Sequence, residues 1–188
     1  SPLTNYYYGF YREVKEKLGE EFYPRLVELF SLMPVSVTVN GYFCTHGGLP
    51  GLYNGDGALD LGIDSVEDLH RLPKGDIIPD DPVLFQLLWN DPTDSVDYFS
   101  LNRRGEGAFY FGRKVTEEFM ARTGFRGVIR AHETADGFKV DHDGRVITVF
   151  SSVYHKQRAG LLFLNNVGEF ARLYVNKDGS AQIVQGLF

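Results

Sequence analysis

The sequence predicts a layered α/β domain. Three observations carry the prediction. Apolar residues at helical spacing run through the N-terminal stretch to Met33, a β-branched segment alternating with period two follows, and short apolar strands separated by turn residues dominate from Val128 onward. Hydrophobic residues make up 43% of the 188 positions and charged residues 23%, a balance that lets a chain bury a core rather than remain disordered.

Residues 10 to 18 and 20 to 33 are expected to be helical. Val14 and Leu18, then Phe22, Leu26, Leu29, Phe30 and Met33, recur at helical spacing, and Gly19 and Pro34 punctuate them. Val35-Ser36-Val37-Thr38-Val39 reads as a strand, Asn40-Gly41 as a tight turn, and Tyr42-Phe43-Cys44-Thr45 as the returning strand, which ends at His46-Gly47-Gly48. Residues 47 to 80 are rich in Gly, Pro and Asp and read mostly as loop, with one short helix near Ser65 to Leu69. Asp81-Pro82 opens a helix running to Leu88 or Trp89, because proline has no N–H to leave unsatisfied at a first helical position. Residues 90 to 108 read as loop.

Lys114 to Arg122 is amphipathic, with Val115, Phe119 and Met120 on one face and Gly124 as its stop. Val128 to Arg130 is a short strand. Phe138 to Val140 and Arg145 to Phe150 form a hairpin around Asp141-His142-Asp143-Gly144. Gly160 to Asn165, Phe170 to Val175 and Ala181 to Val184 complete the strands, the last two joined by Asn176-Lys177-Asp178-Gly179.

The formal net charge of -6 and the lack of any basic cluster larger than Arg103-Arg104 argue against a nucleic-acid partner. No apolar run approaches the roughly 20 residues that span a bilayer, so no membrane partner is expected. The single cysteine, Cys44, rules out an internal disulfide, and a reducing cytoplasm is the expected compartment.

Several residues could carry chemistry. His46 projects from a strand end into a loop, beside two glycines that permit close approach of backbone or ligand, which suits a metal ligand. Taken alone it reads equally as a hydrogen-bonded histidine before a tight turn. His132, in Arg130-Ala131-His132-Glu133, follows another short strand and carries the same two readings. Two such histidines could converge at one edge of a sheet. His70, His142 and His155, in a helix end, a hairpin turn and a loop, are expected to be solvated. Arg104, in a Gly-rich loop, can offer its planar fork to a phosphate or simply be a solvated loop arginine. Asp91 stands where an apolar helix stops, and Tyr154 follows a strand with a hydroxyl that could meet a substrate oxygen.

The order and spacing of these pieces resemble the phosphoprotein phosphatase family, the serine/threonine phosphatases related to calcineurin. The matching stretches are Tyr8-Gly9-Phe10-Tyr11, Cys44-Thr45-His46-Gly47-Gly48-Leu49, Leu87-Leu88-Trp89-Asn90-Asp91-Pro92, Arg104-Gly105 with Phe111-Gly112, Arg130-Ala131-His132-Glu133, and Val149-Phe150-Ser151 with Tyr154. The resemblance implies a calcineurin-like β-sandwich flanked by helices. It also implies two divalent metal ions (Mn, Fe or Zn) in the complete enzyme and hydrolysis of phosphate monoesters by a metal-activated water, with a phosphoprotein or phosphopeptide as substrate. His46 and His132 would ligate one metal, and Arg104, favoured over Arg103, would bind phosphate. Tyr154 and Tyr8 would line the substrate cleft, and Asp91 would support it. The family's Gly-Asp-x-His, Gly-Asp-x-Val-Asp-Arg-Gly and Gly-Asn-His-Glu motifs are not found. The expectation is therefore that residues 1–188 are the C-terminal portion of one catalytic domain. They would need the N-terminal half as a partner, hold at most one metal weakly, and be inactive alone. A small-molecule phosphoesterase of the dinucleoside polyphosphate hydrolase type and a noncatalytic module on a phosphatase scaffold remain alternatives.

Overall fold

The computed structural model describes residues 1–153, 157–165 and 169–186. The helices are α1 (Pro2–Tyr7), α2 (Phe10–Lys17), α3 (Tyr23–Leu32), α4 (Val66–His70), α5 (Pro82–Trp89) and α6 (Arg113–Thr123). The strands are β1 (Ser36–Val39), β2 (Tyr42–Thr45), β3 (Gly51–Tyr53), β4 (Leu59–Leu61), β5 (Asp91–Pro92), β6 (Phe99–Leu101), β7 (Phe109–Phe111), β8 (Val128–Arg130), β9 (Phe138–Asp141), β10 (Val146–Val149), β11 (Ala159–Leu164), β12 (Phe170–Val175) and β13 (Ala181–Gln185). Among the described residues no helix is long and apolar enough to cross a membrane.

The main sheet has the order β1-β2-β8-β10-β9. It opens with the hairpin expected from the sequence. Asn40 and Gly41 both take positive φ, 48° and 82°, the conformation a two-residue hairpin turn demands and the reason Asn-Gly is favoured there. Strand β2 then runs parallel to β8, and β8 parallel to β10, while β9 closes the sheet antiparallel to β10. Alternation along these strands sorts their side chains between two cores. Phe43, Val128 and Val146 stand opposite one another and join Leu87 of α5 and Val115 and Phe119 of α6 in the larger core. Tyr42 and Ile147, with Ile129 packed against them, face the other way and meet Phe170 of β12 with Leu162 and Leu164 of β11. Helices thus cover one face of the main sheet, and the antiparallel sheet β11-β12-β13 covers the other, giving a β-sandwich with helices outside it.

Local signals explain the helix ends. The Asp81 side chain accepts the Leu84 N–H at 2.9 Å, with Pro82 at the first turn of α5. Ser65 and Asp68 form a complete capping box on α4. Gly124 takes the left-handed conformation that ends α6. Three expectations need correction. Residues 47 to 80 are not mostly loop, since β3 and β4 form a hairpin there. Residues 90 to 108 contribute β5 and β6 to a small sheet of order β5-β7-β6. These strands are only two or three residues long, too short for any periodicity to register. Helix α1 precedes the first expected helix.

His142 is the third correction. It is fully buried rather than solvated, with its ring against Phe111. Its Nε2 lies 3.1 Å from the carbonyl oxygen of Thr93 and its Nδ1 2.8 Å from Thr116 Oγ1. A carbonyl only accepts, so Nε2 carries the proton; in the neutral ring Nδ1 then accepts from the Thr116 hydroxyl. Burial pushes the His142 pKa below its ordinary value, against the pull of Thr93 and Asp94. The unfolded chain therefore gains a proton below about pH 6.5 that the folded chain resists, so this contribution to stability is present above that pH and is lost as pH falls. Urea unfolding of wild type and His142→Gln at pH 7.5 and pH 5.5 should show a smaller acid loss in the variant, by up to about 1.4 kcal/mol per pH unit. Equal losses would contradict the buried neutral state.

Candidate functional site

Because β2 and β8 are adjacent and parallel, their C-terminal ends lie at the same edge of the sheet. His46 follows β2 by one residue and His132 follows β8 by two, and the Ala131 N–H donates to the His46 carbonyl at 3.1 Å, extending the pairing past the strands. The result is that His46 Nε2 and His132 Nδ1 face each other at 3.0 Å although 86 positions separate them in the chain. His132 holds a positive φ of 60°, a strained conformation for a residue other than glycine. The glycines after His46 serve close approach. A Cβ on Gly47 would lie 2.5 Å from the Leu88 carbonyl carbon and the Trp89 nitrogen, and one on Gly48 would lie 2.2 Å from the Phe111 ring. The end of α5 is thereby pressed against the strand end that carries His46.

One guanidinium organises this edge. Arg130, whose side chain is 0% exposed, donates from Nε to the Gly47 carbonyl at 2.7 Å. Its Nη2 reaches the Asn90 carbonyl at 3.2 Å and Asp91 Oδ1 at 2.8 Å, and its Nη1 reaches Glu133 Oε2 at 2.7 Å. Asp91, 3% exposed, is shared with Arg104, which donates from Nε at 2.5 Å and from Nη2 at 3.2 Å. Burial pushes the Asp91 carboxyl up, but the Arg104 and Asn102 hydrogen bonds and the Arg130 charge outweigh it and hold the group below the usual carboxylate range. Asp91 is thus a buried anion between two cations; it does not itself line the cleft but supports it by holding Arg104.

The cleft at this edge, about 360 Å³, is lined by Ser1, Thr4, Tyr8, His46, Leu88, Trp89, Arg104 and His132. It therefore gathers His46, His132, Arg104 and Tyr8, the last 83% exposed. Arg103 is not among its lining residues. Arg104 spends its Nε–Nη2 side on Asp91, so its Nη1 makes no hydrogen bond among the described residues and its Nη1–Nη2 edge can take a pair of oxygens. Tyr154 and His155 lie outside the described residues. Sequence reasoning missed the central place of Arg130 and the part played by Asn102, whose side chain bonds both Asp91 and the Arg104 backbone. The second had a signal, because an asparagine two residues before an arginine in a Gly-rich loop favours a side-chain-capped turn.

The donors present suit a borderline divalent ion. Desolvation of its ring and the Arg130 and Arg104 charges push the His46 pKa below its ordinary value. Burial, then Arg104 and His46, push His132 down to about 3. Both imidazoles are therefore neutral, the state in which they ligate metals. Two nitrogens at about 2.1 Å from one ion with an angle near 90–110° stand about 3.0–3.4 Å apart, in line with the spacing observed. The donor count is short: among the described residues no group of three or more His, Cys, Asp or Glu side chains is placed to hold a metal. Among the described residues His132 Nε2 is also buried with no hydrogen-bond partner.

The charge arrangement sets an order of stabilities. Asp91→Ala strips a counter-ion from the fully buried Arg130 and should lower the unfolding free energy by about 3–5 kcal/mol. Arg104→Ala leaves Asp91 paired with Arg130 and Asn102 and should cost about 1 kcal/mol. Denaturant unfolding of the two variants checks this, and a cost for Asp91→Ala no larger than that for Arg104→Ala would refute the assigned hierarchy.

A profile of the calcineurin-like phosphoesterase family matches residues 5–136, which include both histidines and Arg104. The chain is 33% identical over 161 residues to a probable serine/threonine-protein phosphatase of Encephalitozoon cuniculi, covering 83% of this chain and 33% of that protein. It is 33% identical over 174 residues to serine/threonine-protein phosphatase 5 of Arabidopsis thaliana, covering 92% of this chain and 29% of that one. With the serine/threonine-protein phosphatase 4 catalytic subunit of Eremothecium gossypii it shares 33% identity over 156 residues, covering 81% and 46%. The chain thus spans less than half the length of these relatives. A solved serine/threonine phosphatase from Saccharomyces cerevisiae, described as similar to human phosphatase PP5, superposes with a TM-score of 0.71 at 23% identity, over 100% of this chain and 57% of that one, and so shares the fold. The chain belongs to the calcineurin-like phosphoesterase family.

Proposed function

We propose that this chain carries part of a two-metal phosphatase site acting on phosphoserine or phosphothreonine in proteins. One observation carries the reading: His46 Nε2 and His132 Nδ1 converge at 3.0 Å in a cleft that also holds Arg104 with its outer edge unspent. The substrate class is supported by relatives named serine/threonine-protein phosphatases 5 and 4. A noncatalytic scaffold would have no use for two neutral imidazoles facing one another beside such an arginine.

His46 and His132 would hold one ion through Nε2 and Nδ1. Divalent ions, when bound, supply Lewis-acid polarisation of the phosphate and a water acidic enough to be a nucleophile near neutral pH. Arg104 binds two non-reacting phosphate oxygens through its Nη1–Nη2 edge. Its guanidinium is already fixed by Asp91, so little reorganisation is needed as charge builds in the transition state. Tyr8 lines the cleft on the substrate side, and Tyr154 is assigned to the same rim by resemblance. Catalytic metal centres usually use about three protein ligands, so the two imidazoles need further donors from outside the described residues. The unpartnered Nε2 of His132 fits the same reading, since ligating imidazoles usually donate their second N–H to an acceptor that is not found among the described residues.

In the full-length protein containing this chain, His132→Ala should lose metal content and phosphopeptide turnover together. Arg104→Ala should keep its metal and lose about 10- to 150-fold in kcat/KM. Metal analysis and steady-state assays on a phosphoserine peptide separate the two, and equal metal loss in both variants would contradict the roles. Residues 1–188 expressed alone should show no turnover of that peptide with excess manganese. Metal-stoichiometric turnover by the isolated segment would show that it completes the site by itself.

A further inference from the structure

We propose that Asn102 is a positioning residue for phosphate recognition, holding the Arg104 guanidinium in the orientation that presents its free edge to the anion. This rests on the reading of Arg104 as the phosphate ligand. Arg104 sits in a loop whose neighbours Arg103, Gly105, Glu106 and Gly107 are all exposed, with positive φ at both glycines. Such a loop cannot by itself fix a long side chain with several rotatable bonds. Asn102 is 8% exposed and grips Arg104 at both ends. At the base, Asn102 Oδ1 accepts the backbone N–H of Arg104 at 3.0 Å. At the tip, Asn102 Nδ2 donates at 2.9 Å to Asp91 Oδ2, the oxygen that also receives Arg104 Nε. The Asn102 backbone N–H is anchored to the Ala108 carbonyl at 3.1 Å.

The amide can do this in one orientation only. Reversing it would set its oxygen against the Asp91 carboxylate and its NH2 against the Arg104 N–H, opposing acceptor to acceptor and donor to donor. An asparagine therefore serves where an aspartate of the same shape would add a second negative charge beside Asp91. With the Asp91 oxygens held by Asn102 and Arg130, the Nε–Nη2 side of Arg104 has one place to dock, and its remaining edge is aimed before any anion arrives. Removing the Asn102 side chain leaves the charges intact but releases this alignment.

The test is a double-mutant cycle in the full-length manganese-loaded protein, with inorganic phosphate as the probe in calorimetric titrations and thermal unfolding as a check on folding. Asn102→Ala should weaken phosphate binding about three- to tenfold when Arg104 is present, and should have almost no effect in the Arg104→Ala background. Asn102→Ser, whose hydroxyl can still accept the Arg104 N–H but is too short to reach Asp91, should fall between, and it carries the test if the alanine variant does not fold. An equal loss in both backgrounds, or no loss in either, would overturn the proposal. If the wild-type protein binds no phosphate, or Arg104→Ala binds it as well as wild type, the phosphate role of Arg104 fails first and the proposal falls with it.

Discussion

The guanidinium of Arg130 lies fully buried where three chain segments end at one edge of the main sheet, and the site depends on it. Its hydrogen bonds join the carbonyl of Gly47 just after β2, the Asn90 carbonyl and Asp91 carboxylate at the end of α5, and Glu133 just after β8. His46 precedes the first of these points by one residue, and His132 lies between Arg130 and Glu133. The distance between two imidazoles on separate strands is thus set by a rigid, planar, permanently charged group that has donors for all of these partners at once. A lysine could not hold this geometry, because its ammonium is a point charge on a flexible stem.

The charges around Arg130 alternate. Arg104, Asp91, Arg130, Glu133, Lys139 and Asp141 form a chain of successive ion pairs, with a separation of 3.3 Å at the last link. Its formal charges cancel, which keeps the desolvation of Arg130 tolerable. Buried pairs of this kind add little stability relative to a well-packed apolar core, so their value lies in geometry. They convert the order of the sheet into the direction of Arg104 at one end and of the strand termini in the middle. Burial, and after it the positive charges of Arg104 and Arg130, disfavours protonation of His46 and His132, so the elements that place the imidazoles also help keep them in the ligating form.

Much of this was legible in the sequence where a signal is local. Asn40-Gly41, Asp81-Pro82, Ser65 to Asp68 and Gly124 each announce a turn or a cap through their own backbone preferences, and the structure uses them as such. The placement of His46 and His132 after short strands was also readable, because each follows an apolar run. Their contact was not derivable from pattern alone, since it requires β2 and β8 to be parallel neighbours. The short strands β3 to β7 escaped because two or three residues cannot show a period. His142 was misread because a histidine between two aspartates looks like a turn, while its burial depends on Thr116 and Thr93, remote in sequence. The role of Arg130 was hidden for the same reason: nothing in Arg-Ala-His-Glu reveals that the arginine points inward.

The central claim is that the edge organised by Arg130 presents His46 Nε2 and His132 Nδ1 to one shared cation. Anomalous diffraction at the zinc edge, from crystals of the full-length protein grown with zinc, tests it most directly. The account predicts an anomalous peak about 2.0–2.1 Å from both nitrogens, with Arg130 still bonded to Gly47 and Asp91. A peak bound to other residues, with the two rings turned away from each other, would contradict it.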